Sequence, residues 1–196
     1  MYVTSTSYIS NCKLMSYRII IRGYMNYFTL FGLPVCYLLD GNLLASRYKA
    51  LQRKFHPDRH TNNHAYEHMQ AIAYAATINN AYQTLKSPLK RAQYILSLQG
   101  LDLENTDHTA CHASFLFKYL KFHEELDAIV HLPDSEKEMI NFKGRIYKMI
   151  KKRNAQMTFE LEQKQWKSAL KTLCELRFLD KIEEQINQIE EKNLGL

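Results

Sequence analysis

Leu51-Gln52-Arg53-Lys54-Phe55-His56-Pro57-Asp58-Arg59 marks the place where one amphipathic helical pattern stops and the next has not begun. Proline lacks an N–H and its ring clashes with the preceding turn, so the pattern predicts a helix that ends before Pro57. His56, Pro57 and Asp58 are then presented together at a loop tip. Alone, the tripeptide is ordinary turn chemistry, because Asp after Pro is a common turn pair. Upstream, Leu44, Tyr48, Leu51 and Phe55 recur at helical spacing as a stripe to be buried, and Asp40 stands where it can cap the helix. At about 100° per residue, Lys49 and Arg53 face the opposite side, with Arg47 and Lys54 flanking them. Downstream, past a polar loop through Asn62-Asn63, Ala71, Ala75, Ile78, Tyr82 and Leu85 keep one stripe. Small alanines allow close approach, so the two helices are expected as an antiparallel hairpin with His56-Pro57-Asp58 at its tip.

Shorter elements flank this hairpin. Tyr27 to Leu33 reads as a brief helix ending in the turn Gly32-Leu33-Pro34. Ser87-Pro88 ends the second long helix and starts another, with Pro at the favoured first helical position. That third helix carries Ala92, Ile95, Leu96 and Leu98, and Gly100 closes it. Residues 101–108 are polar enough to be a linker. Beyond them, residues 109–130 show Phe115, Tyr119, Phe122, Leu126 and Ile129 on one stripe, and Leu132-Pro133-Asp134-Ser135 breaks it. Ser135 and Glu138 have capping-box spacing for the next helix. A long helical pattern then runs to the end through Trp166, Leu170, Leu173, Leu179, Ile182, Ile186 and Ile189. Helices this long need neighbours to cover their apolar sides, which predicts a three-helix bundle.

Composition agrees with an all-helical chain: few Pro and Gly, and many Leu, Lys, Glu, Gln and Ala. No apolar run approaches a membrane-spanning length. Cys12, Cys36, Cys111 and Cys174 are scattered, which fits free thiols better than a disulfide framework or a zinc site. The net charge of +6 is uneven: residues 26–100 carry eight basic and three acidic groups, residues 101–196 fifteen and seventeen. The composition shift near residue 100 coincides with the linker. The expected organisation is an N-terminal extension over 1–24, a helical domain over 25–100, the linker 101–108, and a three-helix domain over 109–196. Residues 1–24 contain no acidic group and show no lasting periodicity, and Met25 is a natural start of translation.

The 109–130 helix carries a second signal. Leu116, Phe117 and Leu120 point away from its core stripe, with Glu124 beside them. An apolar patch on an outward face marks an interface more often than a second buried side. The expected surface is hydrophobic with an acidic rim.

Leu30-Phe31-Gly32-Leu33-Pro34, the helix ending in Phe55-His56-Pro57-Asp58-Arg59, and Ile78-Asn79-Asn80-Ala81-Tyr82-Gln83-Thr84-Leu85 together resemble a J-domain. With Pro88-Leu89-Lys90-Arg91-Ala92, Tyr94, Leu96-Ser97-Leu98 and Arg177-Phe178-Leu179-Asp180-Lys181, residues 25–192 resemble the HscB-type co-chaperones of iron–sulfur cluster assembly. That resemblance implies a two-faced adaptor rather than an enzyme. One face, His56-Pro57-Asp58 with Lys49, Arg53 and Lys54, would engage a heat-shock-type chaperone ATPase and stimulate its hydrolysis. Cations there suit an acidic surface, Asp58 suits a partner cation, and Pro57 limits loop freedom. The other face would bind the iron–sulfur scaffold protein, with Leu116, Phe117, Leu120 and Glu124 carried over by position and Phe178 a further candidate. Lys121 and Ala128 occupy places where the family often has acidic residues, so scaffold binding is expected to be less electrostatic here. Some eukaryotic relatives carry an N-terminal cysteine-pair metal site; with Cys12 alone in that region, a bacterial, cytoplasmic protein is expected, with the mitochondrial matrix as the alternative.

Other chemistries fit less well. His60, His64 and His68 are spaced i, i+4, i+8, but no Cys or carboxylate cluster completes a four-ligand site, so neither metal nor cofactor is expected. No Gly-rich phosphate loop and no nucleophile–base pair stands out. A general J-domain co-chaperone and a basic helical nucleic-acid-binding protein are the alternatives. Against the latter, the aromatics fall on the buried stripes rather than between the basic residues.

Overall fold

The computed structural model describes residues 26–55, 65–101 and 109–193, with side chains from 69 onward in the second segment and over 117–192 in the third. Seven helices are present among them: α1 (Tyr27–Leu30), α2 (Gly41–Phe55), α3 (Ala65–Lys86), α4 (Pro88–Ser97), α5 (Thr109–Val130), α6 (Ser135–Glu162) and α7 (Trp166–Asn193). No strand occurs among the described residues. The expected extension over 1–24, His56-Pro57-Asp58, the histidines 60 and 64, and linker residues 102–108 lie outside the described residues, and so does the side chain of His68.

The helix ends follow local chemistry. Asp40 accepts from Asn42 N (2.8 Å) and Leu43 N (3.2 Å), so α2 starts where the carboxylate satisfies its orphan donors. Ser87 caps α4, with Pro88 at its first position. Gly100 takes φ +75° after α4, and Leu101 N donates to the Leu96 carbonyl at 3.1 Å while Gly100 N donates to Ser97 at 3.0 Å. These two bonds close the helix in the left-handed manner that glycine favours. The same pair of bonds ends α6 at Glu160 and Leu161, but there the left-handed residue is Lys164 (φ +55°). The Ser135–Glu138 capping box does not form: Ser135 lies inside α6, and Asp134 is the flanking residue with no side-chain cap. Glu136 and Glu138 instead place negative charge in the first turn, which complements the helix dipole.

The chain divides into two compact units. Among the described residues, the first holds those up to Val35 and those within Leu39–Lys86; the second holds Cys36–Leu38 and those from Ser87 onward. In the first unit α2 and α3 form the hairpin. Tyr48 stacks on Tyr82 (centroids 4.0 Å, 11°) and Phe55 meets Tyr74 edge-on (4.3 Å), so the partner number falls as the α2 number rises and the helices run antiparallel. Tyr48 OH donates to Asn79 Oδ1 at 2.9 Å, and Asn80 Nδ2 donates to Tyr27 OH at 3.1 Å. The fully covered line of α3 is Ala71, Tyr74, Ile78, Ala81 and Leu85, rotated slightly from the line through Ala75 and Tyr82, which are half-buried.

In the second unit α5, α6 and α7 make a three-helix bundle. Leu126, Ile129, Met139, Phe142, Ile146, Leu179, Ile182 and Ile186 form one buried cluster, with Tyr119, Phe122 and Ile189 packed at its edge. Lys143 pairs with Glu190 and Arg153 with Glu175, both at 2.6 Å, which makes α6 and α7 antiparallel. Tyr119–Phe178 and His123–Gln185 make α5 and α7 parallel. The helix α4 packs on α7 with Ala92, Ile95 and Leu96 buried, whereas Leu98, past its last turn, is exposed.

Candidate functional site

The first candidate surface is the polar side of α2. Its apolar side is fixed by Leu44, which is buried, and by Tyr48, Leu51 and Phe55, which are half-buried. Helical geometry then leaves Arg47, Lys49, Arg53 and Lys54 exposed, as the spacing predicts. Lys54 Nζ lies 5.2 Å from the Phe55 ring. Arg53 and Lys54 sit in the last turn, where cations complement the carbonyl end of the dipole. No salt bridge among the described residues involves Lys49 or Arg53. Their charge is therefore available to a partner. His56-Pro57-Asp58 follows directly in sequence.

The second candidate surface is the outward side of α5. Leu126 and Ile129 anchor the opposite side in the bundle core. That anchoring turns Phe117 and Leu120 to solvent, at 60% and 49% exposure, with Glu124 exposed one turn further on. Two large apolar groups this open, side by side on one helix face, have no packing role in the bundle itself. Lys121 Nζ lies over the Phe117 ring at 4.7 Å, so the cation shields part of that ring. Ala128 is exposed on the same side. Leu116 belongs to α5, but its side chain is outside those described. Phe178 is placed differently from the other candidates: it is half-buried between α5 and α7, its ring tilted against Tyr119 at 5.4 Å. It supports the edge of the surface more than it presents one.

Next to that edge, His123 joins the two helices. Its Nδ1 lies 3.2 Å from Asp127 Oδ2, and its Nε2 lies 3.1 Å from Gln185 Nε2. Across the bundle, Arg145 pairs with Glu125 and ties α6 to α5.

One cluster escaped the sequence reading. Arg91, on the apolar stripe of α4, is buried, and its Nη1 donates to the Tyr37 carbonyl at 2.6 Å. Its guanidinium lies 5.9 Å from the Tyr37 ring, and Tyr37 OH donates to Asn154 Oδ1 on α6 at 2.6 Å. Burial pulls the Arg91 pKa below its ordinary value, and burial pushes the Tyr37 phenol and the Cys36 thiol up, with Arg91 opposing both. The available signal was a cation at a position where helical spacing demands an apolar residue. Among the described residues no group of three or more His, Cys, Asp or Glu comes together as a metal site. No helix among them is long and apolar enough to cross a membrane.

Known proteins share this arrangement. Residues 112–187 match a family model described as the HSCB C-terminal oligomerisation domain. The structure of the chaperone HscB from Vibrio cholerae is 38% identical in sequence with a TM-score of 0.79, and the match covers 86% of this chain and 99% of that one. Human co-chaperone protein HscB is 27% identical with a TM-score of 0.78, over 89% of this chain and 85% of the human one. The Jac1 co-chaperone from Saccharomyces cerevisiae shares the fold (23% identity, TM-score 0.66, 83% of this chain and 94% of that chain).

Proposed function

The chain belongs to the HscB family of co-chaperones, and from that premise we propose that it carries an iron–sulfur cluster scaffold protein to a dedicated heat-shock-type chaperone and stimulates that chaperone's ATPase. The scaffold docks on the outward face of α5 through Leu116, Phe117, Leu120 and Glu124, with Phe178 behind its edge. The chaperone is engaged by His56, Pro57 and Asp58 together with Lys49, Arg53 and Lys54. Neither face performs bond chemistry; the hydrolysis belongs to the partner, and the adaptor needs no cofactor, nucleic acid or membrane. The compartment that goes with this reading is the bacterial cytoplasm.

The observation that carries the scaffold half is the exposure of Phe117 and Leu120 on a helix already anchored from behind by Leu126 and Ile129. Burying the two side chains against a partner is worth about 1.5–3 kcal/mol each before association costs. The chaperone half is supported by the exposed cations Lys49, Arg53 and Lys54 on α2, which His56-Pro57-Asp58 follows directly in sequence. The test uses two variants and two readouts, scaffold affinity by calorimetry and chaperone turnover by phosphate release. Leu116→Ala/Phe117→Ala/Leu120→Ala is expected to lose scaffold affinity and retain basal ATPase stimulation. Asp58→Ala is expected to do the reverse. Equal loss of both readouts in the triple variant, or full stimulation by Asp58→Ala, would overturn the assignment of faces.

A further inference from the structure

We propose that Lys121 sets the specificity of the α5 face: a scaffold that covers Phe117 must bring a carboxylate to the Lys121 ammonium. This rests on the reading of the face as the scaffold site and adds the chemistry required of the partner. At about 100° per residue, Phe117, Leu120, Lys121 and Glu124 fall within one narrow sector of α5. A partner seated on the two apolar groups therefore meets both charges. Lys121 is exposed, and its Nζ lies 4.7 Å from the centroid of the Phe117 ring. An ammonium over an aromatic face is attracted by the ring quadrupole. The cation thus stands on the larger and more open of the two apolar groups, not at the rim of the patch.

The carboxylates nearest in sequence do not neutralise this cation. Glu125, at i+4, is engaged by Arg145 on α6, and Asp127 lies against His123. Glu124, at i+3, is exposed, and among the described residues neither it nor Lys121 makes a salt bridge. Docking then leaves the ammonium two courses. If it stays on the ring it is taken out of water, and a buried cation without a counter-charge is costly. If it swings off, the ring contact is lost and the charge still stands against the partner. A carboxylate on the partner removes the penalty and converts the ammonium into the donor of a charge-assisted bond. A partner that offers only apolar surface there, or a cation, is rejected. Glu124, about 4.5 Å further along the axis, has the opposite sign. The two charges therefore also fix direction, with the partner's carboxylate towards the N-terminal end of α5 and its cation towards the C-terminal end.

Titration calorimetry of the full chain with the scaffold protein encoded in the same genome, at low and high salt, tests this. The sign of one substitution depends on the partner's chemistry. Lys121→Met keeps the stem and removes the charge. With a carboxylate opposite, it is expected to weaken binding about tenfold and to flatten the salt dependence. Without one, it removes a desolvated cation and tightens binding. Lys121→Glu is expected to weaken binding about a hundredfold, and Lys121→Arg to stay within about threefold of the parent. Circular dichroism of all three variants is expected to match the parent, as suits an exposed position. Tighter or unchanged binding by Lys121→Met, or unchanged binding by Lys121→Glu, overturns the proposal alone when Leu116→Ala/Phe117→Ala/Leu120→Ala still loses the scaffold. If that triple variant binds like the parent, the scaffold reading itself fails and the proposal falls with it.

Discussion

Arg91→Ala removes the one buried guanidinium among the described residues of α4, and its cost can be worked from its surroundings. The Nη1 donor at 2.6 Å from the Tyr37 carbonyl is a charge-assisted bond, worth about 1.5–3 kcal/mol. Alanine also deletes two stem methylenes of a side chain only 8% exposed, about 1.6 kcal/mol at ~0.8 per methylene. Against these stands the desolvation that pulls the Arg91 pKa down; removing the ion recovers on the order of 1–2 kcal/mol. The net loss is about 1–3.5 kcal/mol, centred near 2. In urea unfolding followed by circular dichroism, that lowers the midpoint by roughly 1 M, with the slope unchanged. Arg91→Met, which keeps the stem and leaves the carbonyl without its donor, is expected to lose only about 1 kcal/mol. If Arg91→Ala unfolds within about 0.5 kcal/mol of the parent, or Arg91→Met is the more stable protein, the guanidinium is a net burden and the reasoning fails.

Two further outcomes are expected. Lys164→Gly relieves a side chain held at φ +55°; about 1 kcal/mol of strain is released, partly offset by the entropy of glycine, so stability should rise by about half a kcal/mol, and any loss in urea unfolding would contradict the geometry. Burial raises the Asp180 pKa, Glu184 raises it further and Lys90 opposes. A carboxyl with a raised folded pKa favours the fold below its unfolded value and loses that contribution as pH rises through the folded value. Asp180→Asn should therefore melt higher than the parent at pH 7, with the advantage fading near pH 3.5, about where an unfolded aspartate titrates; a lower melting temperature at neutral pH would reverse the sign.

What the sequence made legible was whatever rests on periodicity and end chemistry. Leu44, Ile182 and Ile186 are where helical spacing puts them, and Asp40, Ser87 and Gly100 cap as their chemistry dictates. Phe117 and Leu120 are exposed because the same spacing that buries Leu126 turns them outward. Where the structure departs from the single-helix stripes, a partner distant in sequence decides in most cases. Tyr82 leaves the core line of α3 to stack on Tyr48. Phe178 is drawn half under Tyr119, a contact between helices that no single-helix stripe contains. The α6–α7 break carries neither Gly nor Pro, and Lys164 adopts the left-handed conformation that a glycine would have announced. Arg91 is buried with its guanidinium on the carbonyl of Tyr37, a partner 54 residues away that no helical stripe reveals.

Residues Cys36–Leu38 belong with the second unit, although the chain on both sides of them belongs with the first. The backbone therefore passes between the units three times rather than once. A single splice at Lys86/Ser87 would strip Tyr37 from Arg91 and Asn154, so neither half is a self-contained cassette. Recombination that swaps one half for that of a relative is expected to succeed only if Cys36–Leu38 travel with the second half, which ties the inheritance of the two halves together.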